Sequence, residues 1–304
     1  MSEAAYFDQN TLLAKCYAEN SYESLREKIL QEHDTYTKTI FRNGEVYGYT
    51  ITLNQPLTSL YHFSCYVVKF VFSKIDTLHS QSQEEIMHKL CVSLKEHIAA
   101  QKGYYTMRVP AHIVDLIRAI NHDFTNLMFC GGIVEETLLG NPILPEINQD
   151  IEILFPDQSF IAENKETLMS MALKSFRRYQ GQYHISPVTD SDAAKIYSQW
   201  VENTLSKSDG PTVTVACYNH KIAGYCTISE DDVGVEATLA CVNENTRGLG
   251  IYKRVICAMS QYAQAAGKIF VTSTQFDNYI VQRAWHSLGF TPFRSIYNMH
   301  LDNR

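Results

Sequence analysis

The chain has 304 residues, of which 45% are hydrophobic and 19% are charged, and its formal net charge is −7. This length and composition predict an ordinary soluble globular protein of roughly two domains. The negative charge argues against a nucleic-acid partner, because phosphate binding needs clustered lysine and arginine. Residues 1–10 lack the basic and apolar regions of a secretory signal, and the most apolar window, residues 60–75, is too short and too polar to span a membrane.

Eight cysteines are scattered along the chain, with no Cys-x-x-Cys pair and no histidines at the spacing of zinc ligands. Neither a zinc site nor a disulfide framework is therefore expected, and we predict no bound metal. A reducing cytoplasm is the simplest location for such a chain.

The first half of the chain alternates between strand and helix patterns. The predicted elements are strands at 36–53 and 60–75, an amphipathic helix at 81–103, a strand at 104–109, a helix at 111–121 and strands between 127 and 139. A polar segment with two prolines, residues 140–150, follows these elements and is the best domain boundary. We predict one domain at 1–147 and a second at 148–304.

The second half opens with helices and continues with strands. The predicted elements are helices at 164–178 and from Thr189 or Ser191 to Leu205, strands at 212–218, 222–229 and 233–242, a helix from 251 to 267, a strand at 268–274, a helix from 278 to 289 and a final strand at 293–301. Residues 219–221 form the turn of a hairpin, so the first three strands are expected to run as an antiparallel meander.

A polar loop with two glycines joins the strand ending at Val242 to the next helix. The first amides of a helix lack intrahelical acceptors and carry the positive end of the helix dipole, so this loop suits a diphosphate group. Gly248 and Gly250 allow the backbone to approach a ligand closely, because neither has a Cβ.

These segments resemble the second half of a GNAT N-acetyltransferase. The acetyl-CoA motif Arg/Gln-x-x-Gly-x-Gly/Ala corresponds to Arg247–Tyr252, and a following Asn…Gly-Phe motif begins at Asn278 and ends at Phe290. The chain departs from the family at Tyr252, where glycine or alanine is usual, and at Trp285, where tyrosine is usual. The resemblance implies a mixed α/β GNAT fold, in which a truncated GNAT-like N-terminal domain precedes a complete GNAT domain.

The resemblance further implies acetyl-CoA or another short acyl-CoA as co-substrate. A backbone N–H near Cys241 or Val242 would bind the thioester oxygen, at a point where the strands of this fold splay apart. The acyl-CoA-binding residues are then predicted to be Cys241, Val242, Arg247, Gly248, Leu249, Gly250, Ile251, Tyr252, Asn278 and Trp285.

Two residues are candidate general bases. Glu236 lies on the strand before the loop, in the region where the family often carries a base, although an alternating strand also places carboxylates in solvent. His184 is a rival base or a partner for a sugar hydroxyl, and otherwise a packing residue. The indole of Trp285 can donate a hydrogen bond but no catalytic proton, so either a thiolate with a pKa of about 8.5 leaves unprotonated or the chain is inactive.

Three segments resemble dTDP-amino-sugar N-acetyltransferases within this superfamily, at residues 181–187, 196–203 and 274–283. Gln182 departs from an arginine that is usual there. The resemblance implies acylation of the amine of a nucleotide-linked, dTDP-type amino-deoxy sugar for bacterial surface polysaccharide, such as lipopolysaccharide O-antigen. It implies an acceptor cleft with the N-terminal half as one wall. The predicted substrate-binding residues are Tyr183, His184, Asn203 and Gln275.

Alternative functions stay open at this point. The protein could be an inactive GNAT protein that binds acyl-CoA or a nucleotide sugar, or it could acylate a small amine or a peptide. Aminoacyl transfer to a peptidoglycan precursor is disfavoured by the CoA loop. The expected partner is a small molecule, with no nucleic acid and no membrane, and a homodimer is possible.

Overall fold

The computed structural model describes residues 35–42, 45–72, 81–138, 140–145, 149–177, 179, 181–207, 210–231 and 234–304. The chain divides into two compact units, one with the described residues up to Ile133 together with Arg294–Arg304, and one with Val134–Phe293. The predicted domain boundary at residue 147 lies outside the described residues and stays a prediction.

The first part of the chain contains, in order, β1 (Thr35–Arg42), β2 (Glu45–Leu53), α1 (Gln55–Tyr61), β3 (Cys65–Phe72), α2 (Gln81–Ala100), β4 (Tyr104–Pro110), α3 (Val114–Asp123) and β5 (Met128–Leu138). The second part contains β6 (Ile151–Leu154), α4 (Gln158–Phe176), α5 (Gln182–Ile185), α6 (Ala193–Leu205), β7 (Val213–Tyr218), β8 (Lys221–Glu230), β9 (Gly234–Val242), α7 (Ile251–Ala265), β10 (Ile269–Gln275), α8 (Tyr279–Ser287) and β11 (Thr291–Asp302). Short 3-10 turns lie at Asp190–Asp192 and Glu244–Thr246.

The sheet of the first unit has the strand order β1-β2-β3-β4-β11. Only β3 and β4 run parallel, and β11 pairs with β4 in antiparallel register from Ile296↔Pro110 to Asp302↔Tyr104. Helices α2 and α3 cover this sheet. Their buried apolar side chains recur every three or four residues, which forms one core-facing stripe on each helix: Met87, Leu90, Leu94, Leu116, Ala119 and Ile120.

The sheet of the second unit has the strand order β5-β10-β9-β8-β7-β6. Strands β6 to β9 pair as an antiparallel meander, and β9 then pairs with β10 in parallel. Helices α7 and α8 contribute to one core, which includes Val255, Met259, Phe270 and Trp285. Helix α4 contacts β8 through the buried Tyr225, whose hydroxyl donates to the Leu168 carbonyl at 2.9 Å. The predicted meander and the elements after it are confirmed.

Several predicted boundaries differ from the structure. The span 36–53 forms two paired strands rather than one, and the predicted strand at 60–75 begins only at Cys65. Helix α1 precedes that strand because the Asn54 side chain accepts from the Leu57 amide at 3.1 Å and a proline occupies the first turn. Helix α4 begins at Gln158 rather than at 164, because Asp157 caps it through the Phe160 amide at 2.9 Å.

Strand β9 contains a bulge that changes which way its side chains point. Cys226 pairs with Ala240 and Ile228 with Ala237, so one β8 residue, Thr227, lies opposite two β9 residues. The buried Thr227 Oγ1 accepts from the Leu239 amide at 3.0 Å and bonds the Thr238 hydroxyl at 2.7 Å. The Thr238 hydroxyl also lies 3.2 Å from the Thr227 carbonyl, so two threonine side chains hold the bulge, and Thr227 satisfies its backbone amide.

The seven cysteines of the described residues are all buried free thiols. In the same part of the chain, no helix combines the length and the apolarity that crossing a membrane requires.

We expect Thr227→Val to lower the free energy of unfolding by about 1–3 kcal/mol, because the substitution leaves the buried Leu239 amide without its acceptor. Thr214 on β7 is the matched control: it is equally buried, and its hydroxyl has no hydrogen-bond partner among the residues that the structure describes. Thr214→Val should therefore be neutral or stabilising. Urea denaturation of both variants measures the difference, and equal losses would contradict the assigned role of Thr227.

Candidate active site

Two hydrogen bonds fix the loop between β9 and α7 to a single carbonyl of β8. The Asn243 amide donates to the Ala223 carbonyl at 2.8 Å, and the Thr246 hydroxyl donates to the same carbonyl at 3.2 Å. Within the loop, the Asn243 side chain accepts from the Asn245 amide at 3.1 Å. These bonds set the direction in which the chain enters α7.

Helix α7 begins with free backbone donors at its N-terminus. Its first hydrogen bond runs from the Arg254 amide to the Gly250 carbonyl at 3.2 Å, so the amides of Ile251, Tyr252 and Lys253 have no acceptor within the helix. Gly250 is the N-cap residue and offers no side chain to satisfy them. These amides and the helix dipole favour an anion at this position.

Gly248 and Gly250 both adopt left-handed backbone conformations, with φ of 84° and 78°. A Cβ added at either residue would meet no atom within 4 Å. The surface over these glycines is thus open, which fits a bulky diphosphate group lying against the backbone. Acyl-CoA binding by these residues stays a prediction.

The other predicted loop residues divide by exposure. The Arg247 side chain is 61% exposed, with its Nη2 3.7 Å from the Glu244 carboxylate, so it is available to a phosphate. Leu249 packs partly against the core, and Ile251 is fully buried there. Ile251 lies so close to Gly224 that a Cβ on that glycine would approach its Cγ2 to 2.8 Å. Ile251 therefore anchors the helix and offers a ligand only its amide.

Strands β9 and β10 separate after four paired residues. Their parallel register runs from Gly234↔Ile269 to Ala237↔Thr272, whereas β9 continues to Val242 and β10 to Gln275. Since the Asn243 amide bonds to β8, the alternation of strand amides directs the Val242 N–H toward the open edge. Cys241 is buried, and burial raises the pKa of its thiol to about 11. The same alternation directs the Cys241 N–H toward β8, and its role in acyl-CoA binding stays a prediction.

Glu236 is the third of the four β9 residues that pair with β10, just before the two strands separate. Val235 and Ala237 pack in the core shared with α7, so Glu236 lies on the opposite face of the sheet, and it is partly buried. The bulge then reverses the alternation, because Ala240 and Val242 pack against the α7 core. Glu236 and Cys241 consequently share one face. The role of Glu236 as general base stays a prediction.

The two departures from the family pattern meet in the structure. The Trp285 indole on α8 is 1% exposed and donates to the Tyr252 hydroxyl on α7 at 2.7 Å. An indole N–H can only donate, so the phenol oxygen is the acceptor and the phenol proton is not used in this bond. Burial, together with the neighbouring Cys226, raises the pKa of Tyr252 well above its ordinary value.

Asn278 and Gln275 lie together at the end of β10. The Asn278 amide donates to the Gln275 carbonyl at 3.0 Å, and its side chain donates to the Thr274 hydroxyl at 2.9 Å. The Tyr179 hydroxyl, after α4, is hydrogen-bonded at Thr274 and Gln275. Tyr179 is a residue that the sequence analysis missed, since an isolated tyrosine after a helix carries no motif.

Tyr183 and His184 belong to a compact aromatic group between α4 and α6. The Tyr183 ring is 8% exposed and contacts Tyr197 edge-on, at 5.8 Å between ring centroids. A Cβ on Gly181 would collide with the rings of Tyr179 and Tyr197, which explains the glycine in this segment. The predicted contact of Tyr183 with substrate stays a prediction, and its ring serves first as a packing residue.

His184 uses its ring nitrogens within the protein. Its Nε2 lies 2.8 Å from the Phe176 carbonyl and must carry the proton, because a carbonyl only accepts. Its Nδ1 lies 3.5 Å from the Asp190 carboxylate, and the side chain is 11% exposed. This arrangement favours a packing role for His184, and its role in catalysis stays a prediction.

Asn203 lies on the exposed surface of α6, where its side chain accepts from Gln199 at 3.2 Å.

Glu136 lies on β5, and no sequence motif marks it as a functional residue. Its carboxylate is 2% exposed, bonds His286 at 3.0 Å, and leaves Oε2 without a partner among the described residues. Burial raises the pKa of Glu136, and His286 partly opposes the change.

Residues 156–290 match the model of the Acetyltransferase (GNAT) family. Over these residues the chain is similar to GNAT acetyltransferases. No protein with a curated description matches the chain.

Solved structures agree with the GNAT assignment. A GCN5-related N-acetyltransferase from Sphaerobacter thermophilus is 14% identical, with a TM-score of 0.58 over 97% of this chain and 91% of that chain. One from Kribbella flavida is 9% identical, with a TM-score of 0.55 over 93% and 95%. A GNAT-family acetyltransferase from Colwellia psychrerythraea is 12% identical, with a TM-score of 0.51 over 88% and 85%. These identities show the fold alone, and they confirm the predicted mixed α/β GNAT fold.

The loop between β9 and α7 has open space at Gly250, so a side chain added there should block a ligand. Gly250→Val would place a branched side chain where the diphosphate approaches, and acetyl-CoA binding measured by calorimetry should be abolished. Gly267, at the other end of α7, is the matched control, because it has φ of 69° and equally open surroundings. Each substitution strains a left-handed backbone by about 1–3 kcal/mol, so only the loss of binding should differ. Unchanged affinity in Gly250→Val would overturn the assignment of the loop.

Proposed function

We propose that the protein transfers an acetyl or another short acyl group from acyl-CoA to an amine. The observation that carries this proposal is the glycine loop with open space above it, placed next to the point where β9 and β10 separate. The loop would hold the diphosphate. The open strand edge would then receive the acyl-bearing end of the same molecule.

The proposed reaction is direct attack of a neutral amine on the thioester. The amine nitrogen forms a bond to the acyl carbon, the carbon–sulfur bond breaks, and the electron pair leaves with sulfur. The Val242 N–H would donate to the oxyanion that develops during attack. Glu236, near the start of the strand separation, would accept the proton that the nitrogen loses.

Tyr252 is the proposed donor of a proton to the departing thiolate. A phenol is protonated at neutral pH, and the proton of Tyr252 is not used in the bond to Trp285. Trp285 would then orient the phenol. This arrangement supports an active enzyme over an inactive binding protein, because a phenol is retained beside the loop although residue 285 is not tyrosine.

Two substitutions separate the phenol proton from the hydrogen bond that orients it. Tyr252→Phe and Trp285→Phe both remove the 2.7 Å bond, but only Tyr252→Phe also removes the proton. We expect kcat to fall about 100-fold or more in Tyr252→Phe, as is common for general acid–base catalysis, and far less in Trp285→Phe. Release of free CoA measures the rates.

Each outcome of this experiment has a distinct meaning. Equal losses in the two variants would contradict the role of Tyr252 as a proton donor. A loss of three or more orders of magnitude in Trp285→Phe would contradict a merely orienting tryptophan. Absence of CoA release by the unchanged protein with any amine would overturn the proposed activity itself.

For the acceptor, we propose the amine of a nucleotide-linked amino sugar of the dTDP type. The support is the likeness of residues 181–187, 196–203 and 274–283 to such enzymes, together with one structural observation. Tyr179 contacts Tyr197 of the second segment and is hydrogen-bonded at Gln275 of the third. Segments that are distant in sequence are therefore linked around one tyrosine, beside the end of β10.

Paired titrations test this acceptor. The protein should bind a dTDP-amino sugar much more tightly than the same sugar without its nucleotide, because the nucleotide would supply most of the contacts. Asn203→Ala should weaken sugar-nucleotide binding without changing acetyl-CoA affinity, since Asn203 lies on α6 and is not part of the loop before α7. Comparable affinity for both sugars, or turnover of lysine peptides alone, would contradict the proposed acceptor.

A further inference from the structure

A cluster of two histidines and one aspartate joins α2 to α3 in the first unit. His88 lies on α2, and His122 and Asp123 are the last two residues of α3. The Nδ1 atoms of His88 and His122 lie 3.1 and 3.0 Å from the two carboxylate oxygens of Asp123. One ligand atom from each residue lies within 4.8 Å of the other two.

The carboxylate in this cluster lacks a permanent cation. Asp123 is 8% exposed, and among the described residues its ion-pair partners are the two histidines, with no lysine or arginine. A buried carboxylate is costly unless a cation or good hydrogen bonds compensate its charge. Two imidazoles and a buried carboxylate are also the ligand types that first-row transition metals prefer.

The ligand atoms are near enough to close around one ion. Zinc binds histidine nitrogen and carboxylate oxygen at about 2.0–2.2 Å, so adjacent ligand atoms of a tetrahedral site are separated by roughly 3.3 Å. The nitrogen–oxygen distances of 3.0 and 3.1 Å, each to a different carboxylate oxygen, are near this value. The other separations, of up to 4.8 Å, must shorten, which rotation of the solvent-exposed histidine side chains would allow. The site also lies at the C-terminal end of α3, where the helix dipole favours positive charge.

We propose that His88, His122 and Asp123 bind a divalent first-row transition metal of the Zn²⁺ class. The side chains of His88 and His122 are 40% and 71% exposed, so the ion can enter from solvent and a water completes its coordination. The ion fastens the end of α3 to α2. This inference does not depend on the proposed acyl transfer.

Metal titration of the full chain, freed of any affinity tag, tests the site. We expect Zn²⁺ and Co²⁺ to bind at pH 7.5 by calorimetry, Zn²⁺ to raise the melting temperature, and bound Co²⁺ to give a visible tetrahedral absorption band. Mg²⁺ should not bind, because it demands octahedral oxygen ligands. His122→Ala should weaken this binding at least about tenfold and abolish the band.

Two controls keep the test specific. His97 lies on α2, as His88 does, but its ring bonds Gln101. His97→Ala should therefore leave the metal affinity unchanged. His122 is mostly exposed, and Asp123 keeps its bond to His88 in His122→Ala, so without metal this variant should melt only slightly below the unchanged protein and still bind less metal. Absence of Zn²⁺ binding, equal affinity in His122→Ala, or equal binding of Mg²⁺ would each overturn the proposal.

Discussion

The separation of β9 from β10 is the constraint on which the proposed chemistry depends. Inside a sheet the backbone groups on both edges of a strand are normally paired, and a free strand edge is a liability in a folded protein. Here Thr227 bonds within a bulge in β9 immediately after the last residue that pairs with β10, Ala237. The bulge increases the local twist, and beyond it β9 no longer pairs with β10.

The same bulge determines which side chains surround that edge. Before it, Val235 and Ala237 face the α7 core, and after it Ala240 and Val242 do so. Glu236 and Cys241, five residues apart, therefore share a face that regular alternation would divide between two. In the proposed reaction, the Glu236 carboxylate and the Val242 amide would both act from this one short strand.

Sequence patterns were sufficient where the signal is local. The meander, the glycine loop and the face of α7 follow from residue types at short spacing, and the structure agrees with them. Short elements such as β6 and α5 were missed because four residues carry no measurable period. The bulge escaped prediction because it depends on threonine hydroxyls across a strand pair. The cluster at Asp123 has no sequence signal, because His88 and Asp123 are 35 residues apart on two helices. Metal motifs that can be recognised in a sequence have cysteines or histidines at short spacing.

Tyr252 and Trp285, the two departures from the GNAT motifs, form one hydrogen-bonded pair. They are 33 residues apart in sequence, and each alone departs from the family pattern. A buried indole N–H without an acceptor costs about 1–3 kcal/mol, and Tyr252 supplies that acceptor. Each residue therefore accounts for the other: the phenol on α7 satisfies the buried indole of α8, and the indole holds the phenol in place.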